Sequence, residues 1–405
     1  MKVLLADRLP QDTVTQLLKL GLDVESRPEL GADDLPGAIA QARILVVRST
    51  KVTEATMEAA DALQLIIRAG AGTNTIDTEA AAKRAIHVSN CPGKNAVAVA
   101  ELTLGLLLAL DRAIPDNVSS LRDGRWEKKR FSKGRGLHGR TLGVIGMGRI
   151  GQEVVTRAQA FGMACVAWSR SLTEERANAL GVTRCETVKE VFAQSDAVAI
   201  HVAMTDETKH LVGAEELSAM ADGGFVIHAA RGGVVDDEAL AAEVASGRLR
   251  AASDVYEDEP KGGLAEYDGR FRDLDGFYGT HHIGASTAQA QQAIGDEVAR
   301  ITAHWLDTGE ALNCVNRKAR SPATGQLLVR HLDRVGVLAR VLEVISGAGI
   351  SVKDMRNTIF DDTGAAVAAI TLERTAEAAT LDAIRSDCPH VLGVEWIPLA
   401  RESKP

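Results

Sequence analysis

Three side chains in the second half of the chain, Arg231, Glu259 and His282, each follow a predicted strand. An arginine can hold a carboxylate through two parallel hydrogen bonds. A histidine oriented by a carboxylate is a candidate acid–base catalyst. Taken together and in this order, they favour hydride transfer between a nicotinamide and a 2-hydroxy or 2-oxo acid over separate roles as a surface ion pair, a solvated charge and a core histidine.

A glycine-rich motif indicates where a dinucleotide would bind. Gly146, Gly148 and Gly151 have the spacing G-x-G-x-x-G, between a predicted strand at 141–145 and a predicted helix at 152–161. In that context the first glycine permits a tight turn, the second lets the backbone approach a pyrophosphate, and the third lets helix and strand pack closely. The residues alone leave open an ordinary glycine-rich turn.

Strand-like and helix-like segments alternate up to about residue 310, which predicts an α/β fold with parallel sheets covered by helices. The predicted strands lie at 3–6, 44–48, 65–68 and 87–89 in a first series and at 141–145, 164–168, 197–201, 224–228, 250–254 and 276–280 in a second. Two series imply two Rossmann-like lobes with a cleft between them. Ligands are expected in that cleft, at the carboxyl ends of the strands.

The predicted organisation has three parts. Residues 1–95 and 285–315 form a substrate-binding lobe, and residues 96–284 form a dinucleotide-binding lobe. A polar linker follows at 316–325. Residues 326–400 have the order βαββαβ, which is typical of a small ferredoxin-like module.

Composition excludes several classes of protein. The chain has 405 residues and a formal net charge of −9, which argues against a nucleic acid or a membrane as partner. Five scattered cysteines without a C-x-x-C pair predict reduced thiols and no metal site. No apolar run is long enough to span a bilayer, and the N-terminus does not have the pattern of a signal peptide. We therefore expect a cytoplasmic protein.

Many short stretches resemble the D-isomer-specific 2-hydroxyacid dehydrogenases. They are the segments 47–53, 68–72, 124–131, 230–236, 254–260 and 282–287, together with Asn95, residues 100–102 and the glycine motif. The resemblance implies that Arg231 binds the substrate carboxylate and that Glu259 orients His282, the general acid–base. It implies NAD as cofactor, with Asp254 near the nicotinamide carboxamide. The cofactor-binding residues that it implies are Gly146, Gly148, Arg149, Ile150, Gly151, Ser169, Arg170, Ala230 and Asp254.

Within that family, the resemblance is to the branch that oxidises D-3-phosphoglycerate to 3-phosphohydroxypyruvate, the first step of serine synthesis. The substrate-binding residues that it implies are Arg48, Arg68, Ala69, Gly70, Lys129 and Arg130. A dianionic phosphate requires such positive charge, whereas a bare hydroxy acid does not. Lys129 and Arg130 belong to a cationic segment that could reach the site of a neighbouring subunit, and a solvated basic loop is the alternative.

The end of the predicted strand at 164–168 departs from the family pattern. Ser169 stands where NAD-specific members have an aspartate that binds the adenosine ribose. Without that carboxylate a 2′-phosphate is not repelled, and Arg170 could bind it. NAD remains the expected cofactor, with NADP as a second one. A solvent-facing Arg170 is the alternative.

The C-terminal module resembles an ACT domain, the amino-acid-sensing unit of several biosynthetic enzymes, in residues 331–338 and 349–352. ACT domains usually pair edge to edge and bind the effector in the seam, so the resemblance implies an effector site there formed by His331 with Asp333 and Ser351. The last two replace asparagines of serine-inhibited members, so feedback by serine is in doubt. A module retained for assembly alone is the alternative.

The predicted helix at 96–110 suggests how copies of the chain would associate. Leu102, Leu106 and Leu110 lie on one stripe with Val99 beside them, which favours a homodimer, although an ordinary core is the alternative. A second contact through the C-terminal modules would give a homotetramer. Two other functions stay open: a glyoxylate or hydroxypyruvate reductase, and a non-catalytic NAD(H)-sensing interaction protein.

Overall fold

The chain folds into two compact units, Met1–Asn316 and Arg317–Pro405. The computed structural model describes residues 1–260, 264–317, 323–361 and 363–399. Half of the predicted linker at 316–325 lies outside the described residues, because 318–322 are not among them.

The first lobe of the larger unit is built on a parallel sheet. Its strands are β1 (Lys2–Leu5), β2 (Asp23–Ser26), β3 (Ile44–Val47), β4 (Leu65–Arg68) and β5 (His87–Asn90), in the order β2-β1-β3-β4-β5, and its helices are α1 (Gln11–Lys19), α2 (Leu35–Ala38), α3 (Glu54–Glu58) and α4 (Thr78–Lys83). Every residue of β3 is apolar and buried, as expected of a parallel strand covered on both faces.

The second lobe has a larger parallel sheet. Its strands are β6 (Thr141–Ile145), β7 (Ala164–Trp168), β8 (Thr183–Arg184), β9 (Ala197–Ile200), β10 (Phe225–His228), β11 (Arg250–Ser253) and β12 (Phe277–Gly279), in the order β12-β11-β10-β9-β6-β7-β8. The strand order reverses between β6 and β9, and a crevice for a ligand lies at the carboxyl ends of strands at such a point. The prediction of two parallel-sheet lobes is confirmed.

Helices cover this sheet and connect the two lobes. They are α5 (Ala96–Arg112), α6 (Ile114–Arg122), α7 (Lys128–Phe131), α8 (Arg149–Ala160), α9 (Glu174–Ala179), α10 (Val188–Ala193), α11 (Ala214–Ser218), α12 (Asp237–Ala245) and α13 (Ala288–Thr308). Helix α13 returns to the first lobe, where Ile294, Val298 and Ile301 join the core formed by Val3 and Leu5. The chain therefore crosses between the lobes just before α5 and just before α13.

The apolar stripe on α5 packs inside its own lobe. Leu106 and Leu110 are buried in the core, Leu102 packs against that core, and Val99 is 5% exposed. The interpretation of this stripe as a contact with a second subunit is wrong, because the sheet of the same chain already covers it.

The smaller unit is a βαββαβ module with an antiparallel sheet. Its elements are β13 (Gly325–Leu332), α14 (Val337–Gly347), β14 (Val352–Ile359), β15 (Ala365–Leu372), α15 (Ala378–Asp387) and β16 (Val391–Pro398), and its strand order is β14-β15-β13-β16. Alternate residues of β15 are buried, because one face of the sheet carries the two helices. The element order is the predicted one.

Within the described residues, no helix is long and apolar enough to cross a membrane. In the same part of the chain, no group of three or more histidine, cysteine, aspartate or glutamate side chains could hold a metal ion.

Candidate active site

A cavity in the larger unit lies where strand ends of both lobes meet. From the first lobe it is lined by Arg48, Arg68, Ala69 and Gly70, which follow β3 and end or follow β4. From the second lobe it is lined by Ala230, Arg231, Asp254 and His282, which follow β10, β11 and β12. The structure therefore brings together substrate-binding, cofactor-binding and catalytic residues that the sequence predicts at separate positions.

His282 and Glu259 form a direct pair. The Nδ1 atom of His282 lies 2.8 Å from Oε2 of Glu259, and because a carboxylate only accepts, Nδ1 carries the proton. The other oxygen of Glu259 accepts from the backbone N–H of Tyr256 at 3.2 Å. Burial works to raise the pKa of Glu259, but the His282 hydrogen bond and charge outweigh it and hold that pKa below its ordinary value. The arrangement fixes the ring and leaves Nε2 for a ligand.

Asp254 holds the backbone turn that carries His282. Its carboxylate accepts hydrogen bonds from Oγ1 of Thr280 at 2.6 Å and from the backbone N–H groups of Ile283 and Gly284 at 2.8 Å each. The turn needs this support because His282 has a φ of +53°, a conformation that non-glycine residues seldom adopt. Asp254 therefore positions the histidine, a role beyond the predicted one near the nicotinamide.

Arg231 extends across the cleft from the second lobe to the first. Its Nη1 donates to the Ala230 carbonyl at 2.6 Å, and a Cβ added to Gly72 would lie 3.4 Å from its Nη2. The next residue, Gly232, packs so closely that an added Cβ would lie 1.9 Å from the Tyr256 carbonyl oxygen. The Arg231 turn is thereby packed against the segment that carries Glu259.

Arg48 and Arg68 bring further positive charge to the cavity. Burial lowers the pKa of Arg68, and the charges of Arg231 and Arg48 lower it further. Its Nε is buried and has no hydrogen-bond partner among the described residues. A Cβ on Gly70 would lie 1.6 Å from Arg68 Nη1, so only glycine leaves room for the guanidinium. Three guanidinium groups thus converge where an anionic ligand would relieve their repulsion.

Sequence reasoning did not identify Asp7 as part of the site. Its carboxylate accepts from the backbone N–H groups of Arg48, Ser49 and Thr50 at 2.7, 3.1 and 3.0 Å. Burial works to raise the pKa of Asp7, but a hydrogen bond from Oγ of Ser49 at 2.7 Å and the backbone hydrogen bonds from Arg48 and Thr50 hold that pKa below its ordinary value. Asp7 fixes the turn that presents Arg48. The available signal was an acidic residue placed directly after the first strand.

Two further residues line the cavity that were not predicted as site residues, although Ser286 lies in the segment 282–287. Ser286 and Gln291 both line it, and Gln291 donates from Nε2 to the Ala285 carbonyl at 2.9 Å. Both belong to the chain that continues from His282 into α13. Both therefore add polar residues to the lining of the cavity.

The glycine motif has the geometry of a pyrophosphate cradle. Gly146 has a φ of +99°, and a Cβ on Gly151 would lie 2.0 Å from the Gly146 carbonyl oxygen, so β6 and α8 pack closely only without side chains there. A Cβ on Gly148 would meet nothing within 4 Å, which leaves open space at the N-terminus of α8. These features fit the phosphates of a dinucleotide.

Helix α8 begins at Arg149, directly after Gly148 and three positions earlier than predicted, and Arg149 and Ile150 are its first two residues. Arg149 donates from Nη1 to the Pro92 carbonyl at 2.7 Å, which connects the cradle with the crossover between the lobes. Ile150 is half-buried and packs against the core of the second lobe. Both are placed beside the cradle.

Ser169 and Arg170 follow β7, at the carboxyl edge of the same sheet. Arg170 forms an ion pair with Glu207, and both side chains are about 70% exposed. The guanidinium is therefore already partnered by a carboxylate, with which a 2′-phosphate would compete.

Lys129 and Arg130 do not line the cavity of their own chain. They lie on α7, where Arg130 donates from Nη1 to Glu127 at 3.1 Å. A shallow groove next to them is lined in part by Leu121 and Trp126, which are 57% and 81% exposed. The role of Lys129 and Arg130 at a neighbouring subunit's site remains a prediction.

The three predicted effector residues of the smaller unit do not meet within one chain. His331 is buried near the C-terminus of β13, with Nδ1 2.8 Å from the Leu332 carbonyl and Nε2 3.1 Å from Oδ1 of Asn357. Asp333 follows directly after β13. Ser351 precedes β14 and lies at the opposite end of the sheet, because β13 and β15 are antiparallel. An effector site formed by all three residues would therefore draw on two chains, as a seam between paired modules provides, and it remains a prediction.

Comparisons with known proteins agree with this geometry. A family model described as "D-isomer specific 2-hydroxyacid dehydrogenase, NAD binding domain" matches residues 104–284. A curated relative from Methanocaldococcus jannaschii, named D-3-phosphoglycerate dehydrogenase, is 42% identical over 318 residues, which are 78% of this chain and 59% of that relative. The chain thus spans about three fifths of that relative's length.

Two further proteins are similar over nearly their whole length. A relative from Thermotoga maritima, named hydroxypyruvate reductase, is 43% identical over 287 residues, which are 70% of this chain and 92% of that relative. The NAD⁺-bound 3-phosphoglycerate dehydrogenase of Entamoeba histolytica has a TM-score of 0.64 at 27% identity, over 78% of this chain and 99% of that one.

Proposed function

The chain belongs to the D-isomer specific 2-hydroxyacid dehydrogenase family, and on that premise we propose that it oxidises D-3-phosphoglycerate to 3-phosphohydroxypyruvate, the first step of L-serine synthesis. The observation that carries the proposal is the convergence of Arg48, Arg68 and Arg231 beside the His282–Glu259 pair. A substrate with a carboxylate at one end and a phosphate at the other matches that distribution of charge.

Arg231, His282 and Glu259 each have a distinct role in this reaction. Arg231 holds the substrate carboxylate and places the C2 hydroxyl towards His282. Nε2 of His282 accepts the hydroxyl proton, because Nδ1 is held by Glu259. Glu259 then stabilises the imidazolium that forms. A bound nicotinamide supplies the hydride acceptor. In the reverse direction His282 returns the proton to the carbonyl oxygen.

Arg48 and Arg68 are the proposed phosphate-binding residues, with the backbone at Ala69 and Gly70. Both guanidiniums belong to the first lobe, across the cleft from His282. The Nε of Arg68, which has no hydrogen-bond partner in the described part of the chain, supports this role, since a phosphate oxygen would supply the missing acceptor.

Methionine at position 68 is expected to separate phosphorylated from unphosphorylated substrates. R68M removes a charge-assisted hydrogen bond to the phosphate worth about 1.5–3 kcal/mol, so kcat/KM for 3-phosphohydroxypyruvate should fall by about 10- to 100-fold. The loss with unphosphorylated hydroxypyruvate should be much smaller. Steady-state reduction of both acids by the same preparations measures the difference.

R43M is the matched control, because Arg43 is exposed and precedes β3 at the opposite edge of the same sheet. R43M should leave kcat/KM for both acids unchanged. Equal losses for the two acids in R68M would show that Arg68 does not bind the phosphate.

A second candidate is reduction of a small 2-oxo acid such as hydroxypyruvate or glyoxylate. The relative named hydroxypyruvate reductase favours it, because the chain covers 92% of that protein. The number of guanidiniums in the cavity weighs against it, since one arginine suffices for one carboxylate. The intact Arg231, Glu259 and His282 set weighs against a non-catalytic NAD(H) sensor.

NAD is the proposed principal cofactor, and NADP is proposed as a second one that the chain accepts. Ser169 and Arg170 support NADP, whereas Glu207 competes for Arg170. S169D should lower kcat/KM with NADPH by about 10-fold or more relative to NADH, because it places like charges in contact. S169N introduces a side chain of the same size as aspartate but without charge, and it should lower this ratio much less. Equal effects of S169D and S169N would contradict a charge-based preference.

We also propose that the chain is a cytoplasmic homodimer or homotetramer. The exposed Leu121 and Trp126 beside α7 support an interface there, which would place Lys129 and Arg130 near a neighbouring subunit. An amino-acid effector at the ACT-like module would then need residues of two chains. Sedimentation with and without serine tests both points: a monomer would exclude the interface, and an unchanged profile together with unchanged activity would exclude serine.

A further inference from the structure

A buried histidine holds the backbone from which Arg231 reaches into the cleft. His228 is the last residue of β10 and is fully buried. Its Nε2 lies 3.1 Å from the carbonyl oxygen of Arg231. Since a carbonyl oxygen only accepts, Nε2 carries the proton and donates it to this bond. We propose that His228 is a positioning residue that sets the reach of Arg231; this rests on the proposed function, in which Arg231 holds the substrate carboxylate.

Both the ring and the backbone of His228 are fixed. The bond to Arg231 spans three residues and closes the turn in which the chain leaves β10 for the cleft. The His228 carbonyl accepts from the backbone N–H of Asp254 at 2.9 Å and from Oγ of Ser253 at 3.2 Å. His228 therefore connects the Arg231 turn with β11, the strand from which Asp254 supports the turn of His282.

The ring is confined to one tautomer. Its Nδ1 is buried and has no hydrogen-bond partner among the described residues. Burial lowers the pKa of His228 to about 4, although the bond to Arg231 and the charge of Glu259 act in the opposite direction. The nearby His201 is also buried, and burial lowers its pKa to about 3. At neutral pH the ring is therefore a constant donor to Arg231 and does not exchange protons with the substrate.

Glutamine and methionine at position 228 separate this role from packing. The amide nitrogen of glutamine reaches about as far as Nε2 and can donate to the same carbonyl, whereas methionine fills similar space without a donor. We expect H228M to raise the KM of the 2-oxo acid by about 3- to 10-fold, which corresponds to one lost hydrogen bond. In H228Q the KM should return most of the way to the wild-type value. The affinity for NADH should be unchanged in both variants.

T302V is the control for loss of a buried hydrogen bond elsewhere. Thr302 is fully buried in α13 and donates from Oγ1 to the Val298 carbonyl at 2.8 Å. The variant should lose thermal stability comparable to H228M and keep the KM of wild type. A KM raised equally in T302V, or equally in H228Q and H228M, would overturn the proposal, because either result reports general loosening.

A double-mutant cycle tests whether His228 acts through Arg231. In an R231K background, H228M should add little to the KM, because the lysine cannot make the bidentate contact that His228 positions. The affinity of the wild type and each variant for oxalate, measured by calorimetry in the presence of NADH, gives the same comparison without turnover. Additive effects in both measurements would overturn the inference.

The same data distinguish this inference from the proposed function. Oxalate binding that depends on residues 228 and 231, in a protein that does not turn over 3-phosphohydroxypyruvate, would sustain the positioning role and remove the phosphoglycerate assignment. Absence of both turnover and oxalate binding in the wild-type chain would overturn both.

Discussion

Alanine in place of His282 should lower kcat by about 100- to 10,000-fold, the range that general acid–base catalysis contributes. In the proposed mechanism Nε2 accepts the proton during the oxidation, and among the described residues no other titratable nitrogen lines the cavity except those of arginines. The KM of the substrate should change little, because in the proposed mechanism Arg231 and the arginines of the first lobe bind the substrate. Initial rates in both directions, with NADH binding measured separately, give the comparison.

H281A is the matched control for this substitution. His281 is the neighbouring residue and is exposed, but it does not line the cavity. Its removal should leave kcat near the wild-type value. The kcat of E259Q should lie between those of H281A and H282A, since the amide keeps the orientation of the His282 ring but not the negative charge. Unchanged turnover in H282A would contradict the assignment of His282 as the acid–base catalyst.

Alanine in place of Arg231 should lower kcat/KM by about 100- to 10,000-fold, since two charge-assisted hydrogen bonds to the carboxylate are lost at about 1.5–3 kcal/mol each. Unlike H282A, R231A should affect the KM strongly and should do so for every 2-oxo acid, phosphorylated or not. R231K should recover only part of the loss, because an ammonium group cannot make the parallel pair of bonds.

R272A is the control for removal of an arginine from the same lobe. Arg272 is 60% exposed and lies outside the cavity. Its replacement should leave both kcat and KM near wild type. A loss in R231A that appears for 3-phosphohydroxypyruvate but not for glyoxylate would mean that Arg231 binds the phosphate instead of the carboxylate.

The central strands of both sheets were predictable because they are largely apolar and buried. β3, β9 and β10 have every residue buried, so their sequences differ sharply from the polar segments around them. The edge strands β2 and β8 were missed, since one has the sequence Asp-Val-Glu-Ser and the other has two residues. Edge strands bury little surface and therefore have little apolar pattern to detect.

Parts of the site depend on contacts that cannot be predicted from the spacing of residues in the sequence. Asp7 and Arg48 are far apart in the sequence, and their bond exists because β1 and β3 are neighbours in the sheet. The role of His228 depends on burial and on one hydrogen bond, neither of which a single histidine predicts. The stripe on α5 was misinterpreted because an apolar face fits the core of its own lobe as well as the surface of a partner.

The most direct test of the account is the initial rate of reduction of 3-phosphohydroxypyruvate, hydroxypyruvate and glyoxylate by the full chain, each with NADH and with NADPH. The account predicts that kcat/KM is highest for the phosphorylated acid, because Arg48 and Arg68 add to the contact of Arg231 with the carboxylate. Equal or higher values for hydroxypyruvate or glyoxylate would contradict the phosphoglycerate assignment and identify the chain as a reductase of small 2-oxo acids.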